Sequence, residues 1–241
     1  MSRPRWGWLS GQAAVAERRA GRRVVVNFHG IGDPPQGVPA DERPFWCPTH
    51  EWRAIVAVLG EATRAGSPVE ITFDDGNASD VEVAMPALLE HGLTATFHVC
   101  AGRLDQPGYL DEPALRQLRD AGMAIGSHGW HHVDLRTLSP AELVRATRDS
   151  QERISAACSM PVTTFALPLG SYDRRVLQHL RHYPTVYTSD RTSAGPRARI
   201  VPRWSYVQGW TEQTVRDLAQ GVESPRNRWR QRAAMLVKRW R

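Results

Sequence analysis

The chain has 241 residues, 41% hydrophobic and 23% charged, the balance of an ordinary globular protein long enough for one large core. No apolar run approaches the roughly 20 residues of a membrane helix, and the three cysteines, widely spaced and odd in number, give neither a disulfide framework nor a CxxC zinc site. The formal charge of +6 belongs to the C-terminus, since residues 224–241 hold six Arg, one Lys and no acid, and the remainder is close to neutral.

Residues 1–22 are basic without a continuous apolar stretch, which predicts an arm rather than a secretory signal. With this cysteine usage, the expected setting is the cytoplasm, at most peripheral to the inner membrane face. Val24–Phe28 then reads as a buried strand ending in the Gly- and Pro-rich "HGIGDPP". A helix follows through "HEWRAIVAVLGEATRAG", with Thr49 as its cap and Gly66 as its stop. "VEITF" is a second strand, after which Ser79 opens a helix that Gly92 ends. "TATFHVC" and "MAIGSH" are strands on either side of the helix "EPALRQLRDAG". "SPAELVRATRDSQERISAA" predicts one long helix, with Ser139 and Glu142 forming a capping box around Pro140. "VTTFAL", "TVYTS" and "RARIV" are further strands, and "DRRVLQHLRH" is a helix. Strand and helix alternate from residue 23 to about 201 without a low-complexity break or a repeat, the pattern of parallel strands with crossover helices in an α/β barrel or open sheet. The expected organisation is an arm at 1–22, one main domain at 23–222 and a basic helix at 223–241.

In such folds ligands meet the carboxyl ends of the strands. His29, the pair Asp74 and Asp75, His98 and His128 all fall at or near those ends. His128 and His132 are four residues apart in "SHGWHH", so a helical turn or tight loop aims both imidazoles one way. Two imidazoles and a carboxylate make a hydrolytic metal centre with open positions. Alone, HxxxH reads more simply as a solvated histidine loop, and Asp-Gly as a turn. Together they favour the metal, because a divalent ion offsets the repulsion between adjacent carboxylates and lowers the pKa of nearby water for the free one to deprotonate.

"TFDDG", "SHGWHH" and "FALPLGSYD", in that order and spacing, resemble the polysaccharide deacetylase (NodB homology) family, carbohydrate esterase family 4, over roughly Arg23 to Arg203. The resemblance implies a distorted (β/α) barrel that removes N-acyl groups from amino sugars. It makes Asp74 the catalytic base and assigns Asp75, His128 and His132 to a divalent metal, zinc first, with cobalt, nickel or manganese as alternatives. His131 becomes a bystander and His98 part of the core or pocket wall. "ALPLG" takes the place of the family's third motif, where the Leu169 N–H would serve an oxyanion whatever its side chain. That motif departs from the family in two ways, with Ala166 in the place of an Arg that orients the base and Leu169 in the place of a Tyr, and no histidine follows His182 to act as acid. Arg203 in "VPRW" is the expected substitute partner of Asp74, and His29 the expected acid by similarity to members with an N-terminal histidine. The implied partner is a cell-envelope polysaccharide, an oligosaccharide or a lipid-linked saccharide. A deformylase on a lipid-linked amino sugar and a lapsed carbohydrate- or membrane-binding module are the alternatives.

Ser224 and Pro225 predict a helix start, and Trp229, Ala233, Leu236 and Trp240 recur at helical spacing among arginines. Such a segment suits an anionic membrane surface. Nucleic acid is the weaker reading, because the rest of the chain has no basic excess.

Overall fold

A computed structural model describes residues 22–67 and 69–240, so the expected N-terminal arm lies outside the described residues apart from Arg22. Eight strands form one sheet: β1 (Val24–Phe28), β2 (Val69–Phe73), β3 (Thr96–Val99), β4 (Ala124–Ser127), β5 (Thr164–Ala166), β6 (Thr185–Thr188), β7 (Ile200–Pro202) and β8 (Trp204–Ser205). All neighbours are parallel, in the order β7-β6-β5-β4-β3-β2-β1-β8. Only Arg203 separates β7, which pairs with β6, from β8, which pairs with β1. Within one residue the chain therefore passes from one edge of the sheet to the other, and the sheet rolls into a nearly closed barrel. The sequence predicts the first seven strands; β8 has two residues, too few for any period to register.

The strands alternate across the barrel wall, as a period of two requires. Outward, Phe28, Phe73 and Phe97 pack under the helices, with Phe73 and Phe97 stacked at 4.7 Å and Trp52 edge-on to Phe28 at 5.0 Å. Inward, the barrel takes Val25, Ala166, Tyr187 and Val201 together with the buried polar residues Asn27, Thr72, His98 and Arg203. Gly126 belongs to this inner layer because a Cβ there would meet the His98 ring at 2.3 Å.

The helices are α1 (Thr49–Arg64), α2 (Met85–Glu90), α3 (Glu112–Asp120), α4 (Pro140–Val144), α5 (Ser150–Cys158), α6 (Arg174–His179), α7 (Glu212–Ala219) and α8 (Pro225–Trp240). The predicted capping box at Ser139 and Glu142 opens α4, and a π-helical turn, Arg145–Asp149, interrupts the expected single helix before α5. Two caps differ from expectation. Pro48 holds the cap position of α1, and Thr49 is its first helical residue. The Ser79 hydroxyl accepts the Ile31 N–H at 3.0 Å instead of capping, which ties the loop after β2 to the loop after β1. The Ser224 hydroxyl accepts the Asn227 N–H at 3.1 Å at the start of α8.

Candidate metal centre and catalytic cleft

The turn after β2 sets the geometry. Asp75 and Gly76 have φ of 82° and 76°, a left-handed pair that reverses the chain at the strand end. Gly76 is needed for contact as well as conformation, since a Cβ would come within 2.7 Å of the Val99 side chain. The reversal sends the two carboxylates to different places. Asp74, whose N–H is bonded to Phe28 O at 2.9 Å, points into the barrel. Asp75 faces the cavity above.

Asp74 is clasped by Arg203, whose Nη1 and Nη2 donate to its two oxygens at 2.7 and 2.6 Å. Asn27 Nδ2 donates to Oδ2 at 3.1 Å, and His98 Nδ1 lies 3.5 Å from Oδ1. Arg203 is fully buried and also donates to Asn27 Oδ1 and Thr72 Oγ1, so the barrel interior fixes its fork from several sides. Burial alone would raise the Asp74 carboxyl, but the Arg203 charge and hydrogen bonds, with His128 and His98 nearby, hold it well below the usual carboxylate range.

Asp75, His128 and His132 present ligand atoms that all lie within 4.8 Å of one another. Asp75 Oδ1 is 3.8 Å from His128 Nε2 and 3.9 Å from His132 Nε2. His128 Nδ1 is 2.9 Å from Ala166 O and donates there, which leaves Nε2 buried and without a partner. His132 Nδ1 lies 3.7 Å from Glu42 Oε1. Burial pushes the His128 imidazole down to about 4 against the pull of Asp74 and Asp75, so at neutral pH it is an uncharged donor and its contact with Asp75 is no ion pair. Burial would also raise Asp75, yet His29, His128, His132 and Arg103 outweigh it and lower the carboxyl. An orphaned imidazole nitrogen, a second imidazole and an ionised carboxylate at this separation fit a divalent cation, with Ala166 O and Glu42 setting the rings as supporting groups do around such ions. His128 and His132 converge through a bent loop, not a helical turn.

These residues line a cavity of about 400 Å³ shared with His29, Glu42, Phe45, Trp46, Leu169, Ser189 and Arg191. His29 stands beside the Phe45 ring, 5.3 Å between centres, with Nδ1 buried and unpartnered. Leu169 sits at φ 56°, ψ 7°, a strained conformation for a branched residue. Its side chain is 58% exposed, and among the described residues its N–H finds no acceptor while those of Leu167, Gly170 and Ser171 do. A free backbone donor at the wall is a fitting host for a developing oxyanion. Arg203 lies beneath the cavity, behind Asp74, and His131 is exposed.

Four neighbours of the site carry no signal in the motifs. Arg103 donates to Asp75 Oδ1 at 2.8 Å, Glu42 faces His132, and Asn27 and His98 complete the surroundings of Asp74. For Asn27, Thr72 and His98 a signal exists: each is a polar residue at an inward strand position, where an ordinary barrel core would be aliphatic.

The sequence model of the family described as polysaccharide deacetylase matches residues 61–187. The peptidoglycan-N-acetylglucosamine deacetylase PgdA of Listeria monocytogenes is 29% identical over 114 residues, 46% of this chain and 23% of its own. A chitooligosaccharide deacetylase of Rhizobium leguminosarum bv. trifolii is 26% identical over 158 residues, 64% of each chain. The match spans 39% of the Bacillus subtilis relative YxkH, so the first curated relatives are much longer than the stretch they share with this chain. Among solved structures, the Streptococcus pyogenes deacetylase PplD in complex with acetate superposes with a TM-score of 0.71 at 18% identity, covering 84% of this chain and 99% of that one. A Bacillus cereus polysaccharide deacetylase gives 0.72 at 18% identity over 82% and 69%. With more than half its length matched by the family's sequence model and its fold shared with solved members, the chain belongs to the polysaccharide deacetylase family.

Proposed function

We propose that the protein is a divalent-metal-dependent hydrolase, with zinc the first candidate, that removes an N-acetyl group from an amino sugar of a cell-envelope polysaccharide or its lipid-linked precursor. The observation that carries this reading is the convergence of Asp75, His128 and His132 in one cavity with an ionised Asp74 beside them. A bound divalent ion supplies charge that polarises the amide carbonyl and acidifies water. The chain's residues account for the rest. Asp74, kept anionic by Arg203 and unable to rotate between two guanidinium nitrogens, accepts the proton of the attacking water. The Leu169 N–H receives the negative charge that develops on the carbonyl oxygen. His29, on the wall of the same cavity, protonates the departing amine. Atoms and charge balance as amide and water go to carboxylate and ammonium.

The intact set of four residues speaks against a lapsed binding module. An assay for acetate and formate release from N-acetylated and N-formylated amino-sugar oligomers, run with metal analysis, tests the proposal. Expected are about one divalent ion per chain, acetate as the product, and loss of both on chelation. Formate alone transfers the reading to a deformylase; release of neither by metal-loaded protein overturns it.

A further inference from the structure

Helix α8 is held to the barrel by its polar side and turns its apolar stripe to solvent. Met235 is its buried residue. Lys238 Nζ donates to Asp190 Oδ1 at 2.6 Å and lies 5.2 Å from the centre of the Tyr172 ring. Asn227 Nδ2 donates to Arg191 O at 3.3 Å, and Arg228 pairs with Glu223 at 3.3 Å. These contacts fix the rotation of the helix. On 3.6 residues per turn, Trp229, Ala233, Leu236 and Trp240 then fall within about 60° of one another on the side opposite Met235 and Lys238. Trp229 and Trp240 are 76% and 75% exposed, and four of the nine large hydrophobic residues exposed among the described residues belong to α8. Arg226 and Arg230 flank the stripe on one side and Arg232 on the other, with no acid anywhere from Pro225 to Trp240.

Indole rings outside and guanidinium groups along both edges need an occupant that is apolar just below an anionic surface. A second copy of α8 would set arginine against arginine. The segment at 1–21 is no better matched, since it holds Arg3, Arg5, Arg18 and Arg19 against the single acid Glu17. We propose that α8 docks the protein on an anionic lipid bilayer, with Trp229, Leu236 and Trp240 at headgroup level and Arg226, Arg230 and Arg232 on lipid phosphates. No described helix is long and apolar enough to cross a membrane, so the attachment is to the surface. The anchor Lys238 also reaches Gly170 O at 3.5 Å, one residue from Leu169, so the barrel-facing side of α8 lies beside the cleft while the stripe faces away from it.

The test is co-sedimentation of the full chain with vesicles of phosphatidylcholine alone and with about one third phosphatidylglycerol. Expected is sedimentation with the anionic vesicles only, weakening as salt rises, because screening acts on exposed charges. Trp229→Ala/Trp240→Ala and Arg226→Gln/Arg230→Gln/Arg232→Gln should each lower the vesicle-bound fraction, by about tenfold in affinity. Both sets of side chains are on the outer face, so the thermal midpoint should hold; if one variant unfolds, the other decides. Absent binding, equal binding to neutral vesicles, or undiminished binding by both variants overturns the proposal. Preferential capture of a DNA oligonucleotide over the anionic vesicles overturns it as well, in favour of nucleic acid.

Discussion

At the floor of the cavity, Asp74 is buried and paired with an arginine that has no contact with solvent; one residue on, Asp75 shares the same cavity with two imidazoles and pairs with a partly exposed Arg103. The two regions are one peptide bond apart. They differ because Asp75 and Gly76, both left-handed, turn the chain at the strand end, so that Asp74 meets Arg203 and Asn27 while Asp75 meets Arg103, His128 and His132. Identical chemical groups thus acquire separate surroundings from position: the inner one is locked as an anion by fixed donors, while the outer one faces two imidazoles and, on the proposed function, an exchangeable ion. Repulsion within the pair is met by a different cation on each side.

The comparison breaks most visibly at Asp74. Asp74→Asn should lower acetate release by about 10²-fold or more while metal content stays at the wild-type level; near-normal turnover would remove the inner carboxylate from the chemistry. Arg203→Met should instead appear as lost stability, about 3–5 kcal/mol by urea unfolding, because it leaves a buried carboxylate without its counter-charge. The sign with pH follows. The folded pKa of Asp74 is depressed, so its contribution is fully present above its unfolded value near 4 and is lost as pH falls from there through the folded value. The gap between wild type and Arg203→Met should therefore narrow as unfolding is repeated from neutral pH down to acid; a constant gap would assign the loss to packing alone.

Around Asp75 the expected effect is smaller and of another kind. Glu42→Gln should weaken metal affinity by about 10–100-fold, read by competition with a chelating dye, without changing the urea midpoint, since Glu42 faces His132 from a half-buried position with no hydrogen bond to it. The smallest effect sharpens the contrast between side chain and backbone. Leu169→Ala should leave turnover within about threefold, because the side chain projects outward and the N–H is retained. A large loss there would give the leucine itself a contact with substrate.

The seven longer strands and the helices between them are legible in the sequence because β-branched runs and 3.6-residue periods are local properties. The convergence of Asp75, His128 and His132 is legible for a related reason: Asp75 and His128 follow strand ends that parallel strands bring to one rim, and the four-residue spacing carries His132 back beside His128. Arg103 and Glu42 are not legible. They reach the rim from the segment after β3 and the loop before α1, and only packing decides which of 31 basic or 25 acidic side chains arrives there. Arg203 can be nominated from the missing arginine at Ala166, but its fork geometry depends on a two-residue strand. Ser79 shows the same limit in miniature, since its hydroxyl was free to cap a helix and goes to Ile31 instead.

The residue that lets the chain pass from β7, beside β6, to β8, beside β1, is also the one that compensates the inner carboxylate. Sealing the cylinder and charging its acid are thereby one event. A chain whose cylinder is not closed by β7 and β8 would hold Asp74 without the paired donors that fix its two oxygens in place. A fragment ending at residue 199 lacks Arg203 and is expected to release no acetate even where its first six strands have formed.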